Sequence, residues 1–293
     1  MREGWFGLGW FVRRAADAAR LAAFYQQVVG LPVLRQNDGA SFWVGETVAF
    51  EVATGGQPAP RYRDRSEAPC VPVFRVTALA RVAERLRAAG AELLHEPFER
   101  PSSWFAYLRD PAGEITGFAE RRRTSPYPED QEAWRRWDRG RLTVPGIPPL
   151  PPHFQSLGWV VVRCADVEAV GRFYREVVGL TLLRTTATSQ VFDLGDLALL
   201  EVAAGGMAQP TPADRTAVSN TFLFRVDDAD RQAAILVEAG ARLIDPPLSV
   251  PGGRVAYCVD PEGHLFGLQS RSPDSPRPED REAFARLSRA GHR

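Results

Sequence analysis

The spacing of apolar positions changes in a fixed order along the first fifty residues. Residues 8–14 are apolar and aromatic, which predicts a strand. Between Asp17 and Gly30 the apolar residues recur at i, i+3, i+4 and i+7, which predicts a helix over about 17–29. Asp17 is placed to cap the start of this helix and Gly30 to end it. Short apolar runs predict three further strands and complete a βαβββ unit; they lie near 31–36, 41–45 and 48–53.

This order of elements recurs along the chain. A polar loop at 54–69 leads to a second unit, with a helix near 77–89 and strands near 71–76, 91–95, 103–109 and 114–119. Residues 157–183 then match residues 8–34 without a gap, and 14 of these 27 positions are identical. The pairs of units are therefore copies of one another, and the repeat is far longer than that of a solenoid.

Each copy ends in a segment with the pattern of a short helix, near Pro128 in the first and Pro278 in the second. In the first of these helices Trp134 and Trp137 are spaced to anchor it on its own domain. The Pro-rich residues 142–153 are typical of a stiff linker. The predicted organisation is a first domain at 1–141, this linker, and a second domain at 154–293.

Composition excludes several classes of function. The 36 basic and 36 acidic residues balance, which argues against nucleic acid or an anionic membrane as partner. All basic residues are arginine, so a lysine Schiff base is excluded. Three cysteines without a CxxC spacing predict buried thiols rather than disulfides. Without a signal sequence or a long apolar span, a cytoplasmic protein is expected.

These motifs together resemble the vicinal oxygen chelate superfamily, which includes glyoxalase I, bleomycin-resistance proteins and extradiol dioxygenases. They are a strand followed by Asp17, the pair Phe24-Tyr25, a helix ending in Gly30-Leu31, and a closing Asp110-Pro-Ala-Gly113 turn, all repeated in the second copy. The resemblance covers nearly the whole chain apart from the linker and the tail helices. It implies an α+β fold in which paired βαβββ units form curved, half-open sheets.

The resemblance also implies a divalent metal held in each cup by His, Gln or Glu side chains. The four corresponding positions hold, in the first and second copies, Trp10 and Trp159, Glu51 and Glu201, Val71 and Thr221, and Gly117 and Gly267. Indole has no lone pair for a metal, and glycine has no side chain. One carboxylate per cup falls short of the three protein ligands of a usual catalytic site. No metal and no cofactor are therefore expected.

The histidines agree with this expectation. His95, His153, His264 and His292 have no counterpart in the other copy, and none occupies an implied ligand position. We predict that they are turn or surface residues. The protein is accordingly expected not to be a metal enzyme of the usual kind, with its status as an enzyme left open.

Two interpretations of the implied cups stay open. Trp10 and Trp159 either stack on a flat ligand or fill the cups as core, and Glu51 and Glu201 either contact a ligand or cap the glycines after them. Gly117 and Gly267 are expected to enlarge the cavity floor. At the rim, Trp43, Trp104 and Phe105 favour an aromatic ligand in the first copy, whereas Arg254 and Gln269 favour a more polar ligand in the second.

Three functions fit this sequence. The first is metal-free binding of a small, aromatic or hydrophobic molecule, as in sequestration or resistance. The second is an enzyme of the lyase, isomerase or dioxygenase type that uses an unrecognised metal site or Glu51 or Glu201 as general base. The third is a non-catalytic interaction module. The tandem copies predict a monomer with intramolecular domain pairing, or a homodimer, with a small molecule as partner.

Overall fold

The structure is a computed structural model that describes residues 3–45, 48–137, 149–195, 198–277 and 281. The predicted second tail helix from Pro278, most of the linker and His292 lie outside the described residues. The side chains of Trp134 and Trp137 also lie outside them, so their predicted anchoring role is untested. Within the described residues no helix is long and apolar enough to cross a membrane.

The first copy contains two units of the predicted order, of which the second has one short strand more than predicted. The first unit consists of β1 (Trp5–Ala15), α1 (Ala18–Phe24), β2 (Val33–Gln36), β3 (Ala40–Trp43) and β4 (Ala49–Thr54). The second consists of β5 (Cys70–Val76), α2 (Leu79–Ala88), β6 (Glu92–Leu93), β7 (Phe98–Glu99), β8 (Ser103–Arg109) and β9 (Ile115–Arg121). Helix α3 (Pro128–Trp137) follows where the tail helix was predicted.

The second copy repeats both units. The third unit consists of β10 (Phe154–Cys164), α4 (Val167–Arg172), β11 (Thr181–Thr185), β12 (Ser189–Asp193) and β13 (Leu199–Ala204). The fourth consists of β14 (Asn220–Val226), α5 (Ala229–Glu238), β15 (Arg242–Val250), β16 (Gly253–Val259) and β17 (Leu265–Arg271).

The predicted helix signals act as expected. The Asp17 carboxylate accepts a hydrogen bond from the Arg20 amide at 2.9 Å. Helix α1 then widens into a π-helical turn over Tyr25–Val29. Gly30 ends the turn in the left-handed region, with φ at 82°, a conformation that glycine adopts without steric strain.

Each sheet joins one unit from each copy. The eight-stranded sheet runs β15-β16-β17-β14-β1-β4-β3-β2, so it combines the first unit with the fourth. The nine-stranded sheet runs β11-β12-β13-β10-β5-β9-β8-β6, with β7 also paired to β8, so it combines the third unit with the second. The expectation that each copy forms its own cup is therefore wrong. The edge of β1 pairs antiparallel with β14 rather than with β5.

One core fills the space between the two sheets. The α-helices and one face of each sheet contribute to it, and all four units are represented, for example by Phe11, Phe74, Val160 and Phe222. Because strand side chains alternate, the other face of each sheet points outward. We name these concave faces by the tryptophan on their central strand. The Trp10 cup belongs to the eight-stranded sheet and the Trp159 cup to the nine-stranded sheet.

Candidate functional site

The Trp10 cup brings together the four implied ligand positions from opposite ends of the chain. Val12 on β1 lies opposite Glu51 of β4 on one side and Thr221 of β14 on the other. Trp10 lies two residues earlier on β1, on the same face as Val12. Gly267 of β17 lies beside Leu223, which in turn pairs with Trp10. The site is therefore built from Trp10, Glu51, Thr221 and Gly267.

The Trp10 indole is buried and carries two cations over its ring. The Arg35 guanidinium carbon lies 5.7 Å from the ring centroid, and the Arg271 guanidinium carbon lies 5.3 Å from it. A cation in this position is attracted to the quadrupole of the ring, with about 0.5–2 kcal/mol per contact. The ring also packs in an apolar cluster with Val12, Leu223 and other side chains of the same face.

Glu51 is held among arginines at the floor of the same cup. Burial raises the pKa of its carboxyl, although Arg35, Arg14 and Arg277 oppose this shift. Asn37 donates a hydrogen bond of 3.3 Å to the Glu51 Oε1 atom. Arg14 also interacts with the hydroxyl of Tyr257, whose pKa is raised by burial. The predicted capping of the adjacent glycine amides by Glu51 is not among its contacts within the described residues.

Several buried polar atoms of the Trp10 cup have no hydrogen-bond partner among the described residues. They are Trp10 Nε1, Arg14 Nη1, Thr221 Oγ1 and Gln269 Oε1. All four residues are less than a tenth exposed. A buried polar atom without a partner costs about 1–3 kcal/mol. Such atoms are rare in proteins, and several on one concave face indicate a site for a hydrogen-bonding molecule.

The glycines at the fourth position do not enlarge the cups, contrary to expectation. A Cβ atom on Gly267 would meet Leu223 Cγ at 2.8 Å. One on Gly117 would meet Tyr107 Cε1 at 2.8 Å and Val73 Cγ2 at 2.9 Å. Neighbouring side chains therefore use the space, and glycine is required because these chains pack closely against the backbone.

The Trp159 cup is more apolar than the Trp10 cup. Trp159 is buried beside Phe105, with ring centroids 5.8 Å apart, and its Nε1 also lacks a partner among the described residues. Val71 and Ala119 of its apolar cluster stand where the Trp10 cup has Thr221 and Gln269. Arg163 Nη1 and Ser103 Oγ are also buried without a partner among the described residues, so the two cups differ in polarity chiefly at the positions of Val71 and Ala119.

Helix α3 closes the Trp159 cup. Arg184, whose guanidinium lies 6.0 Å from the Trp159 ring centroid, pairs with Glu129 of α3. The same guanidinium lies 3.9 Å from the ring centroid of Tyr127. Buried Arg121 pairs with buried Asp130 of α3 at 3.1 Å. These contacts join the tail helix to the side chains that surround Trp159.

The residues predicted to line the rims do not all face a cup. Trp43 lies on the same face as Glu51 and Ala49, in the Trp10 cup. Trp104 is 40% exposed and faces away from the Trp159 cup, because Phe105 and Tyr107 take the inward positions of β8. Arg254 likewise faces away from the Trp10 cup and pairs with Asp230 of α5. Neither side chain therefore lies inside the cup where it was expected.

Gln269 and Phe105 each lie in the opposite cup from the one expected. Gln269, expected to serve a polar ligand beside Trp159, belongs to the Trp10 cup. Phe105, expected beside Trp10, belongs to the Trp159 cup. Glu201 lies in the Trp159 cup, where its charge acts on Tyr107 and Arg163.

Sequence reasoning missed an Arg and Tyr pair in each cup. Arg14 and Tyr257 accompany Glu51, and Arg163 and Tyr107 accompany Glu201. Each member is identical in the two copies, at an offset of 149 or 150 residues. That identity was the available signal, but the two members of a pair come from different copies, so their proximity was hidden.

The positions of the cysteines and of His264 test two further predictions from the sequence. The cysteines are free and buried, as predicted, and burial raises the pKa of each thiol to about 12. His264 lies in a turn, as predicted, but it is only 6% exposed and is therefore not a surface residue. Its ring bonds Asp260 at 2.9 Å and the Arg163 carbonyl at 2.9 Å.

The residues at the implied metal position do not fit a divalent cation. Glu51 is the one carboxylate there, and the guanidinium groups of Arg14 and Arg35 act on it. Trp10 and Gly267 offer no lone pair to a metal. Within the described part of the chain, no cluster of three or more His, Cys, Asp or Glu side chains has the arrangement of a metal site.

The chain belongs to the family of glyoxalase-like domains, whose model matches residues 10–116 and 159–269. This confirms the resemblance to the vicinal oxygen chelate superfamily. The chain is 26% identical over 285 residues to the anthracycline biosynthesis protein DauV of Streptomyces sp. strain C5, covering 90% of this chain and 91% of that relative. The anthracycline biosynthesis protein DnrV of Streptomyces peucetius matches to the same extent.

Solved structures agree on the fold. Glyoxalase I of Zea mays superposes with a TM-score of 0.59 at 17% identity, covering 98% of this chain and 97% of the maize protein. This likeness concerns the fold alone.

Proposed function

We propose that the protein binds a planar aromatic molecule rich in hydrogen-bond acceptors in the Trp10 cup, without a metal. The observation that carries this proposal is the set of buried, unpartnered polar atoms around Trp10. Trp10 Nε1 and Arg14 Nη1 are donors, so they suit carbonyl, phenolic or carboxylate oxygens. The indole offers a flat apolar surface on which such a ligand stacks, at about 0.5–1.5 kcal/mol beyond burial.

Charge in the cup favours the same ligand class. The charges of Arg35, Arg14 and Arg277 act on one carboxylate, Glu51. Because Arg14 also keeps a buried Nη1 atom without a partner among the described residues, this region favours a ligand that carries negative or partly negative oxygens. The relatives named as anthracycline biosynthesis proteins support this class, because anthracyclines are planar quinones with phenolic oxygens. Sequestration of such a molecule is the role we propose.

The test uses the dihydroxyanthraquinone quinizarin as probe, with titration calorimetry on the full chain. The key variant is Thr221→Val, which gives the Trp10 cup the residue found at the equivalent position of the other cup. Removal of a buried hydroxyl without a partner should stabilise the free protein by about 1 kcal/mol. If a ligand uses that hydroxyl, the same change should weaken quinizarin binding about tenfold.

The matched control is Trp159→Phe in the other cup, with Trp10→Phe beside it. We expect Trp10→Phe to weaken binding about threefold to tenfold, and Trp159→Phe to leave binding unchanged. Equal effects of the two variants would contradict the choice of cup. A wild-type protein that shows no saturable binding and no thermal shift with quinizarin would contradict the ligand class.

A second candidate function is proton transfer by Glu51. Burial raises the pKa of this carboxyl, which brings a carboxylate closer to the range useful for a general base. In that case Glu51→Gln should abolish turnover of a bound substrate while its affinity changes less than threefold. Loss of binding without any turnover in the wild type would favour the binding function instead.

A further inference from the structure

A cavity of about 480 Å³ lies between the two long polar loops, and its lining does not include Trp10, Glu51, Trp159 or Glu201. The loops span residues 55–69 and 205–219, one in each copy. Its volume is within the usual range for small-molecule sites. The wall is largely made of proline and alanine side chains from both loops, and its floor includes Glu114, Asn220, Cys70 and His264. We call it the central cavity.

The central cavity is held open by reciprocal contacts between the loops. The Gly56 amide donates to the Thr216 carbonyl at 2.7 Å, and the Gly206 amide donates to the Ser66 carbonyl at 2.7 Å. The Ser219 hydroxyl donates to the Gln57 carbonyl at 2.8 Å. These contacts fix the two loops at both ends. A cavity formed in this way needs little reorganisation to accept a ligand.

Charge pairing leaves one acid of the central cavity without a counterion. His264 is matched by Asp260, to which its Nδ1 atom bonds. Arg13, whose charge acts on Glu114, is already matched by Asp110 at 2.6 Å. Among the described residues that line the cavity, Glu114 is then the acid that has no cation of its own. Its carboxyl accepts a hydrogen bond of 2.8 Å from the Asn220 amide.

A second polar side chain, Tyr62, lines the same cavity as Glu114. Tyr62 is 3% exposed. Burial, together with the charge of Glu114, raises the pKa of the Tyr62 hydroxyl. Burial also raises the pKa of the Glu114 carboxyl, as expected for an acid that lacks a counterion.

We propose that the central cavity is a second binding site, for a hydrophobic amine whose ammonium group pairs with Glu114. The ammonium group supplies the missing positive charge, and the Tyr62 hydroxyl accepts one of its remaining protons. The apolar part of the ligand lies against the proline and alanine walls. This site is independent of the Trp10 cup and of the function proposed for it.

The experiment compares 4-phenylbutylamine with its neutral counterpart 4-phenylbutanol, by titration calorimetry on the full chain. The amine should bind at least tenfold more tightly than the alcohol, because a buried charge-assisted hydrogen bond contributes more than a neutral one. Glu114→Gln should lower the amine affinity at least tenfold and leave the alcohol unchanged. Glu51→Gln, which alters a buried carboxyl in the Trp10 cup, should leave both unchanged.

A surface variant keeps the test valid if Glu114→Gln fails to fold. Met207 lines the cavity and is 45% exposed, so Met207→Arg adds a positive charge at the cavity with little risk to the fold. It should lower the amine affinity at least threefold without affecting the alcohol. Equal affinities of the two probes, or an amine affinity that depends on Glu51 rather than Glu114, would overturn the proposal.

Discussion

At the scale of single residues, the two copies pair one equivalent buried aspartate with different basic side chains. Asp110 and Asp260 are equivalent, and both are buried. Asp110 accepts from Arg13, a guanidinium that is fully buried and also bonds Tyr25 and Thr116. Asp260 instead accepts from the His264 ring. An arginine keeps its charge in the protein interior, whereas a histidine can lose its proton.

We therefore expect Asp110→Asn to destabilise the protein by about 3–5 kcal/mol, because it leaves the Arg13 charge buried and unpaired. Asp260→Asn is the matched control and should cost clearly less, since neutral His264 can stay buried. Urea denaturation of the two variants at pH 7.5 measures the difference. Equal losses would show that the Arg13 charge is satisfied by its other partners.

His264 should make stability depend on pH. Burial lowers the pKa of His264, but its bonds to Asp260 and to the Arg163 carbonyl, with the charges of Asp260 and Glu262, outweigh this and raise the pKa. Because the folded-state pKa lies above the unfolded value, the protonated ring stabilises the fold. This contribution is complete below about pH 6.5 and is lost as pH rises through the folded-state pKa.

The measurement is the urea midpoint of the wild type and of His264→Gln across pH 5.5–9. The difference between the two proteins should be largest at the acid end and shrink with rising pH. Subtracting the urea midpoint of His264→Gln from that of the wild type removes the contributions of Glu51 and Glu114, whose raised pKa values also affect stability. A difference that grows with pH would contradict the assignment.

Some residues of the site could be predicted from the sequence and others could not. Trp10, Glu51 and Gly267 were identified from the resemblance, and the structure brings them together. The expected role of Gly267 was wrong because a glycine leaves space that a neighbour, Leu223, can occupy. Arg14 was overlooked because an arginine in an arginine-rich chain carries little information until its burial is known.

At the scale of elements, local pattern was sufficient for most of the fold. The α1 caps at Asp17 and Gly30 and the strands around it lie within a few residues of their predicted positions. The short strand β7 (Phe98–Glu99) was missed because two residues carry no periodicity. The π-helical turn after α1 was also missed, since its apolar spacing is close to that of an α-helix.

At the same scale, the attachment of helix α3 to the sheet can be tested. Its docking rests on the buried pair of Arg121 and Asp130 and on the contact of Glu129 with Arg184. Asp130→Asn removes the carboxylate that pairs with buried Arg121, so α3 should detach more often from the sheet. Hydrogen exchange of residues 128–137 should increase at least tenfold, while strands β5 and β10 keep their protection.

The control for this prediction is Glu96→Gln, which breaks the exposed pair of Arg87 and Glu96. Exposed ion pairs contribute about 0–1 kcal/mol, so exchange in α3 should not change. If exchange of α3 is unaffected by Asp130→Asn as well, then apolar contacts rather than the ion pair hold the helix on the Trp159 cup.

At the scale of the whole molecule, the pairing of units could not be predicted from sequence pattern. The four units have similar apolar patterns, so the central strand of any unit suits the same antiparallel pairing. The choice of partner depends on contacts distant in sequence, such as Trp10 with Leu223 and Trp159 with Val73. Local periodicity contains no information about such contacts, and the composition of both cups was therefore assigned incorrectly.

The sheet pairing makes the two copies mutually dependent, and this can be tested by dividing the chain in the Pro-rich linker. Residues 1–141 alone lack β14, the partner of β1, and residues 149–293 alone lack β5, the partner of β10. Each fragment should therefore fail to unfold cooperatively as a monomer, either aggregating or pairing with a second copy of itself. Mixed or coexpressed fragments should form a one-to-one complex, measured by sedimentation and by calorimetric melting. Two fragments that each melt cooperatively as monomers, with no affinity for each other, would show that each copy can complete its own sheet.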